Sequence, residues 1–287
     1  MKLSIITVNL NNRDGLQRTI DSVVGQTFRD FEWIVIDGGS TDGSRELIEQ
    51  HAGHFAYWVS EPDKGIFNAM NKGIKVAKGD YLQFLNSGDS LFSHDILEKA
   101  FSSNHTEDIL FGTCQVHDPY RGDYVHGPTS SEVSTFQLLS KSIPHQSSFF
   151  HRPLFDKYGL YDESYRICAD MKFYFNTIVN HNVSLRYLGL TISHFDGSGV
   201  SNQHPEIVRE ETYRVAHLYL PPRSIADFDI YNEVLQNYDI VKTCEKQVED
   251  NRTAIRFYNT MMRYPFSKAL TSFILKVLDR HKKNQRP

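Results

Sequence analysis

The sequence predicts an α/β fold, a mostly parallel central sheet with helices on both faces, plus a helical C-terminal extension. Three observations predict it. Strand-like and helix-like segments alternate through the first hundred residues, and such alternation gives parallel strand pairs joined by right-handed crossovers. The strand-like runs are apolar on both faces, as a sheet covered on both sides requires. Polar residues collect directly after each run, at the edge where open parallel sheets bind ligands.

"LSIITV" reads as a buried first strand, and Leu16, Ile20, Val23 and Val24 then recur at helical spacing up to Gly25. "FEWIVID" is a second strand, "GGSTDGS" a loop of turn and cap residues, and "SRELIEQ" the start of a second helix. "AYWVS" is a third strand and "EPDKG" a loop; Ile66, Ala69, Met70 and Ile74 mark a third helix. "YLQFL" is a fourth strand and "HDILEKAF" a fourth helix. The middle is less regular. "DILFGTCQV" and "RGDYVHG" suggest a strand pair joined at Asp118-Pro119, and "IPHQSSFFH" a strand entered through Pro144. "ADMKFYFNTIVN" reads as a helix, "SLRYLGLTISHF" as one or two strands, and "DGSGVSNQHP" as a long loop. From about residue 205 the pattern is helical, so residues 1–204 are expected to form the main domain and 205–287 the extension.

Composition narrows the function. Of 287 residues, 40 % are hydrophobic and 23 % charged, enough for a packed core. A net charge of −4 and a pI near 6.3 argue against a nucleic-acid partner. Cys114, Cys168 and Cys244 are too scattered for a disulfide framework or a zinc site, which suggests a reducing compartment. The opening apolar run is broken by Asn9, too short for a signal peptide. No run approaches the roughly 18 apolar residues of a membrane span. The expected location is cytoplasmic, at the inner face of the plasma membrane. From Arg252 onward nine Lys or Arg face one acid, Asp279, and Ala269, Leu270, Phe273, Ile274, Val277 and Leu278 form one helical stripe. Such a tail suits peripheral contact with anionic lipid. The stripe equally suits packing on the domain, and the helical C-terminus a homodimer contact.

The four strand ends carry Thr7, Asn9 and Asn11; Asp37 and Ser40; Glu61, Asp63 and Lys64; and Asn86, Ser87 and Asp89. Singly, each reads as a turn or a cap; together they read as a site. The first turn, "TVNLNNRDG", lacks the glycines of a dinucleotide fingerprint, and no phosphate-loop GK[ST] occurs. A carboxylate-rich edge would repel a diphosphate unless a divalent cation lay between them. Asp and Asn oxygens suit Mg2+ or Mn2+.

"SIITVNLNNRDGLQRTIDSVVGQTFRDFEWIVIDGGSTDGS" and "SEPDKGIFNAMNKGIKVAKGDYLQFLNSGD" resemble the family 2 glycosyltransferases of the GT-A fold. "PHQSSFFHR", "GLYDESYRICAD" and "HFDGSGVS" extend the resemblance more loosely to about residue 201. It implies inverting transfer of a sugar from a nucleotide donor, usually a UDP-sugar, to a hydroxyl of a glycan or lipid-linked acceptor in surface polysaccharide or glycoconjugate synthesis. It implies Thr7, Asn9, Asp37, Asp63, Asn71, Lys72, Asn86, Ser87 and Gly88 on the donor side, with Lys64 beside the base. It implies Mn2+ or Mg2+ held by Asp89 and His194, an acceptor side at His145 and Gln146, and Asp170 as catalytic base, with Asp162 and Glu163 as weaker candidates. Asn86 and Gly88 depart from the pattern, because many members carry carboxylates there.

Local readings stand beside these roles. Asp37 can cap its own turn, Asp170 can cap the helix that follows, and the lysines can be solvated surface. His194 can be structural, and His145-Gln146 can be a plain turn after Pro144. Two other functions fit less well. A nucleotidyltransferase needs a basic, glycine-rich first turn, where this chain offers only Arg13. A sugar-nucleotide-binding or scaffold protein without transferase activity fits the missing acids at Asn86 and Gly88, yet Asp37, Asp89 and Asp170 are all present. A glycoside hydrolase would need two carboxylates flanking a sugar rather than this edge.

Overall fold

The computed structural model describes residues 1–117, 122–140, 142–197, 199–230 and 233. Residues 1–225 form one compact unit and 226–287 a second. The basic tail and Cys244 lie outside the described residues.

The strands are β1 (Leu3–Asn9), β2 (Phe31–Asp37), β3 (Tyr57–Ser60), β4 (Tyr81–Phe84), β5 (Ser90–Leu91), β6 (Ile109–His117), β7 (Tyr124–His126), β8 (Ser148–His151) and β9 (Leu185–Asp196). The α-helices are α1 (Arg13–Val24), α2 (Ser44–Gln50), α3 (Ile66–Val76), α4 (Ile96–Ala100), α5 (Thr135–Ser140), α6 (Pro153–Tyr158), α7 (Ala169–Tyr174), α8 (Val200–Gln203) and α9 (Pro205–Tyr219). One sheet runs in the order β3-β2-β1-β4-β8-β6-β9-β5, with β7 beside β6. The first four strands pair in parallel, as the alternating pattern predicts. The second half is mixed: β8 is antiparallel to β4 and to β6, β7 is antiparallel to β6, and β9 is parallel to β6 but antiparallel to β5.

Alternate residues of a strand face opposite sides, and both sides are covered. Leu3, Ile5, Trp33 and Val35 pack with Leu16 and Ile20 of α1, Leu47 and Ile48 of α2, and Ile96 and Leu97 of α4. Each such buried side chain contributes about 1.5–3 kcal/mol. On the other side α3 lies so close to β1 that a Cβ on Gly73 would meet Ile6 at 2.5 Å. Phe84, Phe150, Phe155, Tyr161 and Phe173 form an aromatic cluster, with Phe155 stacked on Phe173 at 4.6 Å. Through Phe173 this cluster anchors α7, and α7 carries Asp170.

Two local expectations change. The predicted helix at 169–180 is α-helical only to Tyr174 and continues as a π-helical turn over Phe175–Asn180. There the Thr177 hydroxyl donates back to the Phe173 carbonyl at 2.8 Å. The expected loop at 196–205 contains α8. Cys114 and Cys168 are buried and unpaired. Among the described residues no helix is long and apolar enough to cross a membrane.

Candidate active site

Parallel register builds the first part of the site. Asn9 lies opposite Asp37, and Asp37 opposite Ser60, so three strand ends present one polar row. Asn9 Nδ2 donates to Asp37 Oδ1 at 2.7 Å, and the Ser40 hydroxyl to the same oxygen at 2.5 Å. The Ser40 N–H and the Ser60 hydroxyl donate to Oδ2 at 3.0 and 2.6 Å. Burial pushes the fully buried Asp37 carboxyl up, but the bonds from Ser40, Ser60 and Asn9 outweigh it and hold the group below its ordinary range. Asp37 thus caps its own turn and is a fixed negative charge at the edge. Asn9 Oδ1 is buried there with no hydrogen-bond partner. Asp63 accepts the Gly65 N–H at 2.8 Å and lies over Gly38. A Cβ on Gly38 would fall 2.5 Å from Asp63 Oδ2 and 3.2 Å from the exposed Leu10.

Three of the expected donor-side residues are already engaged by partners within the protein. Thr7 is fully buried, and its hydroxyl accepts from Trp33 Nε1 at 3.0 Å, one pleat below the edge. Asn71 is buried and fastens α3 to the 161–163 segment: its amide donates to the Tyr161 carbonyl and Glu163, and accepts the Tyr161 N–H. Lys72 pairs with Glu61 at 2.7 Å and donates to the Pro62 carbonyl, bracing the loop after β3.

The turn after β4 is the second part. The Leu85 and Ser87 N–H groups donate to the Ile6 and Val8 carbonyls, carrying the chain along β1 to the edge. Asn12 caps α1 and donates to the Ser87 carbonyl at 3.0 Å. Thr19 of α1 accepts the Gly88 N–H and donates to the Asp89 carbonyl. Gly88 has φ +105°, a left-handed conformation that favours glycine, and an added Cβ would meet Asn12 and Asp196 at 3.3 and 3.4 Å. This turn leaves Asp89 buried, with Oδ1 accepting the Asp196 N–H at 3.3 Å. Burial pushes the Asp89 carboxyl up to about 7; His145 and the Asp196 N–H oppose the rise, and the Asp196 charge adds to it.

The third part joins the turn to α7. His145 follows Pro144 in a 3-10 turn ahead of β8. Its Nε2 lies 3.3 Å from Asn86 Nδ2, and its Nδ1 lies 3.2 Å from Asp170 Oδ2. With the Asn86 amide as donor, Nε2 accepts and the proton sits on Nδ1, facing Asp170. Burial lowers the His145 pKa, but the hydrogen bond and charge of Asp170, with the Asp89 charge, raise it above its ordinary value. Asp170 lies in the first turn of α7, which Cys168 caps, so it does not serve as the N-cap. Its Oδ1 accepts the Met171 N–H at 2.8 Å, and the side chain is 20 % exposed, open to an incoming group. Gln146 is buried, and its carbonyl accepts from Gln83 Nε2 at 2.9 Å, fixing this turn to β4. Asp162 pairs with Lys172, and Glu163 with Asn68 and Asn71.

His194 stacks its ring on Phe92 at 4.9 Å. Among the described residues no group of three or more His, Cys, Asp or Glu forms a ready metal cage. The second carboxylate beside Asp89 is Asp196, which Arg18 of α1 pairs at 2.8 Å. A buried carboxylate driven up to about 7 beside another carboxylate is the oxygen-rich setting that a hard divalent cation relieves. Asp196 ends β9 just as Asp37 ends β2, so the strand-end signal was present in "HFDGSG". Ser40 was among the strand-end residues, whereas Asn12 and Arg18 carried no signal beyond turn or helix surface and Ser60 none beyond the end of its strand.

The edge can therefore hold a polar ring system at Asn9, Asp37 and Asp63, and an anionic group with a cation at the 86–89 turn. Beside that turn it presents a carboxylate able to take a proton. Residues 4–159 match the family model "Glycosyl transferase family 2". The chain is 38 % identical over 224 residues to an uncharacterized glycosyltransferase of Mycobacterium tuberculosis, covering 76 % of this chain and 84 % of the relative. It is 30 % identical over 213 residues to a PGL/p-HBAD biosynthesis glycosyltransferase of Mycobacterium bovis, covering 69 % and 78 %. Among solved structures, S. aureus TarS 1-349 in complex with UDP superposes with a TM-score of 0.57 at 19 % identity, covering 72 % of this chain and 63 % of that one. The mannosyltransferase PcManGT from Pyrobaculum calidifontis, in complex with GDP-Man and Mn2+, superposes with a TM-score of 0.60 at 14 % identity, covering 95 % and 82 %. The chain belongs to glycosyl transferase family 2 and is a glycosyltransferase of the GT-A fold.

Proposed function

We propose that this glycosyltransferase moves a sugar, with inversion, from a nucleotide-diphosphate donor to a hydroxyl of a glycan or lipid-linked acceptor, and that Asp170 is its base. The observation that carries the reading is the contact of the half-buried Asp170 with His145, which itself touches Asn86 of the turn after β4. A UDP-sugar is the first donor to test: TarS is described with UDP and with UDP-GlcNAc, whereas PcManGT is described with GDP-Man. The M. bovis relative's role in PGL/p-HBAD biosynthesis supports a lipid-linked acceptor.

The base and ribose lie at Asn9, Asp37 and Asp63, where Asn9 Oδ1 lacks a partner and Leu10 offers an apolar flank. The diphosphate lies along the 86–89 turn. Asp89, with Asp196 beside it, would hold Mn2+ or Mg2+, which when bound offsets charge on the leaving diphosphate. The acceptor hydroxyl approaches from the side of Asp170. Its oxygen forms the new bond to the anomeric carbon as the bond to the β-phosphate oxygen breaks, and its proton passes to the Asp170 carboxylate. His145 keeps Asp170 oriented through the contact of its Nδ1 with Asp170 Oδ2.

Incubation with UDP-GlcNAc, other UDP-sugars and GDP-mannose, with release of free nucleotide as the readout, tests the reading. Release that depends on Asp170 supports it. Nucleotide binding without release from any donor would favour the sugar-nucleotide-binding alternative.

A further inference from the structure

Asp170 is delivered by a short loop, residues 162–168, that leads into α7; α9 holds this loop, and all three follow the matched residues 4–159. Glu211 of α9 is 8 % exposed and has no carboxylate role in the scheme above. Its Oε1 accepts the Arg166 N–H at 2.6 Å, and its Oε2 accepts the Ile167 and Cys168 N–H groups at 2.9 and 2.8 Å. Three consecutive backbone donors thus converge on one buried carboxylate, two residues before Asp170. Charge-assisted bonds of this kind are short and directional, and three of them fix the path of the chain rather than one side chain. The same helix grips the loop again one turn on. Arg214 lies over the Tyr165 ring at 4.1 Å and donates to the Ser164 hydroxyl and carbonyl at 2.9 and 3.3 Å.

Resting on the reading of Asp170 as the base, we infer that Glu211 is a positioning residue that holds the 166–168 backbone so that the Asp170 carboxylate meets His145. Helix α9 is then a brace for the catalytic loop. A Gln at 211 presents an NH2 where a second acceptor is needed, so at least one backbone N–H loses its partner and faces a donor. The loop should shift while the distant Asn9–Asp37 row stays in place.

NMR titration of the His145 ring, with calorimetric titration of UDP, tests the inference on the full chain. In Glu211→Gln the His145 midpoint should fall from its raised wild-type value toward that of Asp170→Asn, while the Kd for UDP stays within about twofold. With any donor that turns over, kcat should fall roughly ten- to a hundredfold with KM little changed, since a displacement near 1 Å has that effect. Glu211→Gln should add nothing to Asp170→Asn. An unchanged His145 midpoint in the folded variant would overturn the inference, as would parallel loss of UDP binding. Should Glu211→Gln not fold, Arg214→Met tests the same brace; it should shift the His145 midpoint in the same direction, and no shift would count against the inference. Turnover by Asp170→Asn is a separate outcome: full activity there removes the base reading, while the His145 midpoint still decides on Glu211.

Discussion

His145 stands between the turn after β4 and the start of α7: Nδ1 is 3.2 Å from Asp170 Oδ2, and Nε2 is 3.3 Å from Asn86 Nδ2. These groups are 25 and 59 residues from His145 in sequence. The imidazole therefore links the side of the site expected to bind the donor with the carboxylate expected to deprotonate the acceptor. It has one tautomer that serves both neighbours.

Asp170→Asn keeps the shape and the bond to His145 but removes the proton acceptor. Transfer should fall by roughly 10²–10⁴-fold in kcat, with nucleotide affinity unchanged, because Asp37 and the 86–89 turn are untouched. Steady-state kinetics together with a calorimetric Kd would check the split. A loss confined to KM would contradict it.

His145 also contributes to stability in a pH-dependent way. Its folded pKa is raised above the unfolded value, so folding binds the imidazolium more favourably than the neutral ring. That contribution is fully present below the unfolded pKa, near 6.5, and is lost as pH rises through the folded pKa. His145→Gln should therefore lower the melting temperature more at pH 6 than at pH 9. Melting curves at the two pH values would show equal deficits if the Asp170 pairing is absent in solution.

Asp89 makes the fold less stable in the same pH direction, but through a buried charge rather than a lost pairing. Its folded pKa, about 7, lies above the unfolded value of 3.8, so the buried carboxylate loses folding stability as pH rises from about 4 to about 7. Asp89→Asn should raise the melting temperature of the metal-free protein at pH 8, with little change at pH 4, while abolishing any metal-dependent nucleotide binding. A destabilised Asp89→Asn at pH 8 would mean that the carboxylate already has a cationic partner.

Two glycines should not tolerate a methyl group. Gly88→Ala must hold φ +105° and press on Asn12 and Asp196, at a cost of about 1–3 kcal/mol. Gly38→Ala meets Asp63 Oδ2 at 2.5 Å; because a side chain can swing away, stability should hold while nucleotide affinity drops. Chemical denaturation and nucleotide titration of both variants separate the two effects. Equal affinity in Gly38→Ala would remove Asp63 from the pocket.

The parallel half of the fold was legible because its signals are local: apolar runs of strand length, helical spacing between them, and polar residues where each run stops. That also singled out Asn9, Asp37, Asp63 and Asp89. What the pattern could not give was depth. Thr7 and Asn9 lie on the same side of β1, but the strand runs on to Asn9, which leaves Thr7 one pleat inside against Trp33. The resemblance put Asn71 on the donor side, yet its partners, Tyr161 and Glu163, lie about ninety residues away and claim its amide. The His145–Asp170 contact depends on β8 docking beside β4 and on α7 packing through Phe173, neither of which leaves a periodic trace. Asp196 carried the strand-end signal, but it falls in an irregular stretch whose strand was less sharply marked than the first four.

Calorimetric titration of UDP and GDP, with and without Mn2+, into the wild type, Asp37→Ala and Asp89→Ala tests the nucleotide-sugar site most directly. One of the two nucleotides should bind, Mn2+ should strengthen binding only when Asp89 is present, and Asp37→Ala should weaken binding with or without the metal. Absence of binding by either nucleotide, or binding indifferent to both substitutions, would rule out a nucleotide site at this edge.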